Sequence, residues 1–479
     1  MSRRQQLLKL AKGGLGVLIE VVLQLEAQMR ALQRQIQQLK DQLALTSRNS
    51  GRPPSSDGLA KPPRPWPSSL RQKTGRKPGG QKGHPGRTLQ PVPKADQTVV
   101  HALDQCICGL CRGVSLKNQP VLGHVSRQVF ELRRQPLEVT EHQAQIKCCP
   151  VSGLNVTAAF PEGLAAPAQY GPRFRAQMIY LNTKHFIPFA RLSQLCEDIY
   201  SQPLSEGTVV NAEARAFVAL EPFEGRVKRL LPLAPLNHAD ESGLRVAGRL
   251  HWLHVVSNAK LTFYGVHPKR GVEAMNAFNI LPQCRNWIMH DHWAPYFNYG
   301  GCLHALCNEH HLRELKFLCE QHQEAWADEL SQFLLNAKQR VEQDGVLGEK
   351  AFKKLRAQYH ATLAKGRRRH PRRQDAGAQS KAANLLDRLE EYDLNVLAFC
   401  WDPDVPFTNN QAERDIRMEK VRQKVSGCFR TLRGASVFLR IRSYLSTCQK
   451  LGRNLLNEME NAVRGKPFIP SIQHVPKRC

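Results

Sequence analysis

The sequence predicts an α/β core carrying a large helical insertion, preceded by a coiled coil and a small zinc-knuckle-like module. Two patterns place the core. Residues 234–240, 249–257 and 260–267 are short runs rich in β-branched, aromatic or leucine side chains, and 286–290 (NWIMH) reads as a buried strand. Residues 305–400 are almost entirely helical in pattern, and a last helical block runs from about 410 to 464. Strands, then a long helical stretch, then a terminal helix describe a sheet domain with helices inserted into it. The length of 479 residues leaves room for about three domains at roughly 150 residues each.

The N-terminal segment, 1–45, carries Leu18, Val22, Leu25, Met29, Leu32, Ile36, Leu39 and Leu43, which alternate steps of four and three. This is an a/d seam with Gln, Arg, Lys and Glu between, and it predicts a helix that self-associates as a coiled-coil homodimer or higher multimer. A core helix of a globular domain would share the spacing. Residues 46–94 hold ten prolines and eleven Lys/Arg against a single acid, Asp57. Such a stretch cannot bury apolar surface, so it reads as a linker or as a basic arm lying along phosphates.

A small module follows at 95–165. Cys108 and Cys111 have the CxxC spacing of a zinc knuckle, and Cys149 follows some forty residues later. Ser152 stands where a fourth cysteine would complete the set. Either Cys106, Cys148 or a His substitutes, or the module has lost Zn²⁺ and kept its fold. Between these cysteines, residues 121–146 read as alternating short strands.

Residues 166–232 are helical in period and suit either a helix-turn-helix or a wall of the next domain. The core spans 233–464, with the insertion at about 305–400 broken by a basic loop at 366–377, and 465–479 form a tail. Gly243, Gly248 and Ser257-Asn258 punctuate the strands, and 273–281 reads as a helix.

Lys and Arg number 69 against 41 Asp and Glu, a formal charge of +28. That surplus disfavours a cationic substrate and favours a polyanion, nucleic acid before an anionic membrane. With 41% hydrophobic residues the chain is not wholly disordered. No run approaches the roughly 18 apolar residues of a membrane span, and the seam of the N-terminal helix is narrow for an interfacial helix. Basic residues precede Leu15–Leu23, but Glu20 interrupts that run and no small-residue cleavage site follows. The 14 cysteines are scattered, as reduced thiols are. A cytoplasmic location is expected.

Three acids stand out by position. Asp240 is read at the end of the first strand, Asp291 ends the buried strand, and Glu413 lies near the start of a helix. Strand ends are where open α/β sheets place functional groups. Each has a structural alternative: Asp240 capping a turn, Asp291 as an N-cap, and Glu413 in a capping box three residues after Asn410. Together, three carboxylates suit two hard divalent ions and in-line phosphoryl transfer.

The stretches SRNSGRPPSSDG, GRKPGGQKGHPG, HADESGLRVAGRLHWLHVVS, YGVHPKRG, HDHWAPYF, CNEHHLREL, FTNNQAERDIRM and KVSGCFRT occur in an order that resembles a DDE transposase of the insertion-sequence-66 family, along nearly the whole chain. The resemblance implies a ribonuclease-H-like core with a helical insertion and an acidic triad at Asp240, Asp291 and Glu413. It implies two Mg²⁺ ions, with Mn²⁺ as substitute. It also implies action on the terminal inverted repeats of a bacterial mobile element and on target DNA, in the nucleoid. Water would free a 3′-OH at the element end, and that hydroxyl would attack target DNA. Two small accessory proteins are implied partners; no membrane is. The alternatives are a decayed transposase acting as a DNA-binding repressor or architectural protein, and a nuclease that does not join.

Two further features are read beside the triad. Cys307 and His310 form a CxxH element. It suits a metal half-site, a substrate-positioning contact, or a buried Cys beside a satisfied His. After Glu413, the residues Arg414, Arg417, Lys420, Arg422 and Lys424 suit contact with phosphates near the cleaved bond, or a solvated basic face.

Overall fold

The computed structural model describes residues 14–45, 92–106, 110, 114–122, 124–130, 137–148, 150–151, 155–164, 166–372 and 379–478. The basic linker and the proposed zinc ligands Cys108, Cys111 and Cys149 lie outside the described residues, apart from 92–94. The chain divides into two units, residues 62–145 and the remainder.

In the smaller unit the backbone pairs locally. Cys106 N–H donates to Val114 O at 2.9 Å, and Leu116 N–H donates to Asp104 O at 2.8 Å. The Gln128 amide exchanges hydrogen bonds of 2.7 and 2.8 Å with the Val92 backbone. The strands expected over 121–146 do not form among the described residues until Ile146. Val121, Leu122, Val125 and Val129 are exposed, so the alternation has no core to face.

The larger unit begins with helix α1 (Gly14–Ala44). Its seam residues Val22, Leu25, Met29, Leu32, Ile36, Leu39 and Leu43 are all exposed. Its C-terminal end is tied down: Asp41 lies 3.2 Å from His322 and 3.8 Å from Lys381, and Ala44 and Leu45 pack on the core of the insertion. Strands β1 (Ile146–Cys148) and β2 (Asn155–Thr157) pair antiparallel. Helices α2 (Pro172–His185), α3 (Phe189–Tyr200), α4 (Glu206–Ala219) and α5 (Glu221–Leu230) follow.

The central sheet has five strands: β3 (Leu236–Val246), β4 (Arg249–Ser257), β5 (Thr262–His267), β6 (Trp287–His290) and β7 (Leu303–Leu306). Their order is β5-β4-β3-β6-β7, antiparallel from β3 to β5 and parallel from β3 through β6 to β7. Helix α6 (Val272–Phe278) connects β5 to β6.

Between β7 and the C-terminal helices lie α7 (Asn308–His322), α8 (Ala325–Asp344), α9 (Glu349–Arg369), α10 (Lys381–Glu391) and α11 (Asp393–Val396). They share a core with Trp287, Met289, Ala305 and Leu306 of the sheet. Helix α9 carries the basic segment as far as Arg369, where a loop was expected. Arg367 is held there by Asp387 and Glu390 at 2.6 and 2.9 Å. Helices α12 (Asn410–Ser426), α13 (Leu432–Lys450) and α14 (Leu455–Val463) complete the unit.

Strand alternation assigns the two sheet faces. Ala239, Val256 and Phe263 face a core with Ile179, Phe223, Val227 and Tyr444. Leu244, Val246, Leu253, Val255 and Tyr264 face the other way, onto Ala412 and Ile416 of α12. Helix α13 covers the free edge of β5. The backbone N–H groups of Thr262 and Tyr264 donate to the Thr447 and Ser443 hydroxyls at 3.1 and 2.9 Å, which satisfies an edge that would otherwise be open.

Candidate active site

Asp240 sits mid-strand, the fifth of the eleven residues of β3, where the sequence suggested a strand end. The strand continues to Val246 and turns at Ala247-Gly248, both at positive φ (48° and 77°), as a two-residue hairpin requires. Gly243 is therefore strand, paired with Trp252 rather than marking a turn.

The strand-end argument still holds for Asp240, but through its neighbour. Parallel pairing of β3 with β6 stops at His238–Met289, and that register carried two residues on sets Asp240 level with Asp291. Asp240 also shares its strand face with Leu244 and Val246, which pack on α12. The side chain of residue 240 thus lies on the side from which Glu413, on the first turns of α12, approaches.

The polar contacts agree. Burial pushes the Asp240 carboxyl well above its usual range, and the charges of Glu241, Asp291 and Glu413 push it further, against a hydrogen bond from the Glu241 N–H. That bond reaches Asp240 Oδ1 at 2.8 Å. Asp291 Oδ1 accepts from the Trp293 N–H at 3.0 Å, a turn contact rather than the expected cap, because the N-cap of the short helical turn Ala294–Asn298 is Trp293. Glu413 is not spent in this way. The N-cap of α12 is Asn409 rather than Asn410, and Glu413 Oε1 is buried without a hydrogen-bond partner.

Asn409 was not singled out by sequence, yet it bolts α12 to β3. Its amide donates to Ala239 O at 2.9 Å, its Oδ1 meets His238 Nδ1 at 2.8 Å, and its N–H donates to Cys307 Sγ at 3.2 Å. Glu241 was also missed. It points to the opposite face, where Arg270 Nε holds it at 2.9 Å and the Tyr296 hydroxyl at 2.5 Å. Burial, then the charge of Asp291, raises the Glu241 carboxyl to about 7 against the pull of Arg270 and Tyr296. Arg270 in turn stacks on Trp252 and Trp293, at 4.9 and 4.0 Å from the ring centroids. The signal was present in YGVHPKRG and HDHW, but pairing across 29 residues is set by the sheet.

A donor set of carboxylates that repel one another in a half-buried cleft suits a hard divalent cation. The three acids are electrostatic neighbours, but they do not form a closed ligand set. Among the described residues, the one group of three or more ligating side chains with donor atoms all within 4.8 Å of one another is Cys307, His310 and Glu413.

The basic residues of α12 divide by helical phase. At about 100° per residue, Arg417, Lys420 and Lys424 fall on the stripe of Glu413, Arg414 lies beside it, and Arg422 lies opposite. Arg414, Arg417 and Lys424 are exposed. Lys420 is half-buried; burial lowers its pKa while Asp240 and Glu413 oppose that shift. Arg422 is packed on Phe429, 3.5 Å from the ring centroid, and donates to Gly427 O at 2.9 Å.

Comparison with known families gives two matches. Residues 167–437, more than half of the chain, match the Transposase IS66 family. Residues 6–90 match a Family of unknown function (DUF6444). No curated protein matches the chain.

Proposed function

The chain belongs to the Transposase IS66 family, and from that premise we propose that it cleaves DNA at the terminal inverted repeats of its element and joins the freed 3′-OH to target DNA, with Asp240, Asp291 and Glu413 as the catalytic acids. The observation that carries this reading is the β3–β6 register, which sets Asp240 level with Asp291 on the strand face that packs against α12, the helix of Glu413, although the three acids are 173 residues apart at the extremes. Sheet order and the change from antiparallel to parallel strands support a ribonuclease-H-like core.

Asp240 and Asp291 would hold two Mg²⁺ ions, or Mn²⁺ in their place, with Glu413 completing the set. Such ions, when bound, activate the attacking oxygen and stabilise the leaving one. The chain's own residues do the rest. Asn409 and His238 fix the start of α12 against β3, so that Glu413 is presented on a rigid element. Arg270 and Tyr296 hold the Glu241 carboxyl on the other face of the sheet, away from the position of a metal ligand. Arg417, Lys420 and Lys424 extend the acid stripe of α12 with positive charge, placed to grip the phosphates flanking the reacting one.

The exposed seam of α1 supports a coiled-coil dimer, and the two small accessory proteins remain expected partners. No helix among the described residues is long and apolar enough to cross a membrane. The test is purified protein on element-end DNA with Mg²⁺ and a target duplex, with and without the accessory proteins. Cleaved ends joined to target support the proposal. Cleavage without joining identifies a nuclease, and binding without cleavage identifies a decayed repressor; either overturns it.

A further inference from the structure

Cys307, His310 and Glu413 form a cluster that the catalytic reading uses only in part. Cys307 follows β7 directly and is the N-cap of α7, and His310 lies in the first turn of that helix. Glu413 lies at the matching place on α12. Two hydrogen bonds lock the helix starts together: the Asn308 N–H donates to Phe407 O at 3.1 Å, and the Asn409 N–H donates to the Cys307 side-chain Sγ at 3.2 Å. The second is a bond that a thiolate accepts well. The donor atoms of the three side chains lie within 4.8 Å of one another.

Two of these groups are unspent. His310 Nδ1 and Glu413 Oε1 are both buried and lack hydrogen-bond partners. Each such group costs about 1–3 kcal/mol unless something binds it. A Cys packed beside a satisfied His, the structural alternative, would leave no orphaned ring nitrogen. As a set, one sulfur, one imidazole nitrogen and one carboxylate oxygen suit Zn²⁺; Mg²⁺ would take only the carboxylate. Donors around tetrahedral Zn²⁺ stand roughly 3.3–3.7 Å apart, so side-chain rotation by about 1 Å on fixed backbones closes the set.

We propose that Cys307, His310 and Glu413 bind a thiophilic divalent cation of the Zn²⁺ class, with an open fourth position, at a site that shares Glu413 with the catalytic acids. On binding, Cys307 releases its thiol proton to solvent and His310 coordinates as neutral imidazole. Occupancy takes Glu413 from the catalytic set, so Zn²⁺ inhibits Mg²⁺-dependent cleavage. Binding stands on the geometry alone; the inhibition rests on the proposed function.

The test uses Co²⁺ as a coloured stand-in for Zn²⁺ on the full chain, in a Cys108→Ser/Cys111→Ser background that removes the separate CxxC. One equivalent of Co²⁺ with thiolate-to-metal absorption is expected. Cys307→Ser should remove that absorption and weaken binding at least about 100-fold, since even outer-shell changes cost 10–100-fold. His310→Ala should weaken it comparably, and Asp240→Asn should leave it intact. If the background does not fold, the difference in bound Co²⁺ between the unmodified chain and His310→Ala decides the matter. Equal stoichiometry and absorption in the Cys307 or His310 variants would overturn the site. A Co²⁺ site that is present while Asp240→Asn still cleaves would overturn the catalytic reading and spare the metal site.

Discussion

Helix α12 can present Glu413 only if it is held in place, and the buried pair Asp415–Lys450 is one of its anchors. Lys450 Nζ lies 2.9 Å from Asp415 Oδ2 and 2.9 Å from Asn258 O. Side-chain exposures are 13% and 11%, which places the pair among buried rather than surface ion pairs. Ser257 donates to the same carboxylate oxygen at 2.7 Å and Gln411 at 3.0 Å, so the carboxylate is well satisfied.

At an effective dielectric of about 20, two unit charges 2.9 Å apart attract by roughly 6 kcal/mol. Desolvating both charges costs several kcal/mol each, so the intact pair adds little net stability. Removing one partner is different, because it strands the other in the core. Asp415→Asn should cost about 3 kcal/mol, since Lys450 keeps only carbonyl partners. Lys450→Met should cost about 1–3 kcal/mol, since Asp415 keeps the Ser257 and Gln411 donors.

The double variant should cost about 2 kcal/mol less than the sum of the two single losses, which is the coupling energy. The assay is urea unfolding followed by tryptophan fluorescence, comparing midpoints at constant slope. Cleavage of end DNA should fall with Asp415→Asn while DNA binding persists. Additive single variants, or an Asp415→Asn cost below about 1 kcal/mol, would refute the argument.

Three further outcomes follow from the packing. Asn409→Ala should slow cleavage by about 100-fold with DNA binding retained, because α12 loses its side-chain bonds to His238 and Ala239; single-turnover kinetics beside a binding isotherm check it. Gly366→Ala would set a Cβ 2.7 Å from Trp326 Cδ2, and overpacking of about 1–3 kcal/mol should outweigh a helix-propensity gain of about 1 kcal/mol, lowering the melting temperature. Burial raises the Glu213 carboxyl to about 8 against the pull of Arg422, so the folded state keeps a proton that the unfolded state gives up near 4.5. That stabilising contribution is present below 4.5 and lost as pH rises toward about 8, so Glu213→Gln should gain melting temperature over the parent progressively across that window.

Much of this was legible in the sequence, for physical reasons. The runs 249–257 and 260–267 and the buried NWIMH strand alternate or cluster strongly enough to be placed within about two residues. Asp291 was singled out because a buried strand ends before it, and that strand does end at His290. Asp240 was singled out for a partly mistaken reason, since it lies inside β3 rather than at its end. Glu-Ser-Gly resembles a turn, but Gly243 continues the strand opposite Trp252, and an added Cβ would meet Leu250 at 3.1 Å. Strand β7 was missed because four residues, two of them flanking a histidine, carry too short a pattern to separate from the helix that follows. Asn409, Glu241 and Arg270 were missed for another reason. Their roles depend on pairings across 29 to 171 residues, which only the assembled sheet defines.

The most direct measurement is single-turnover cleavage of end-bound DNA in Mg²⁺ by Asp240→Ala, Asp291→Ala and Glu413→Ala, with the bound fraction recorded in the same samples. All three should bind the DNA nearly as the parent does and leave it uncut. Cleavage at a parental rate by any one of them, Asp291→Ala above all, would contradict the assignment of the reaction to these carboxylates.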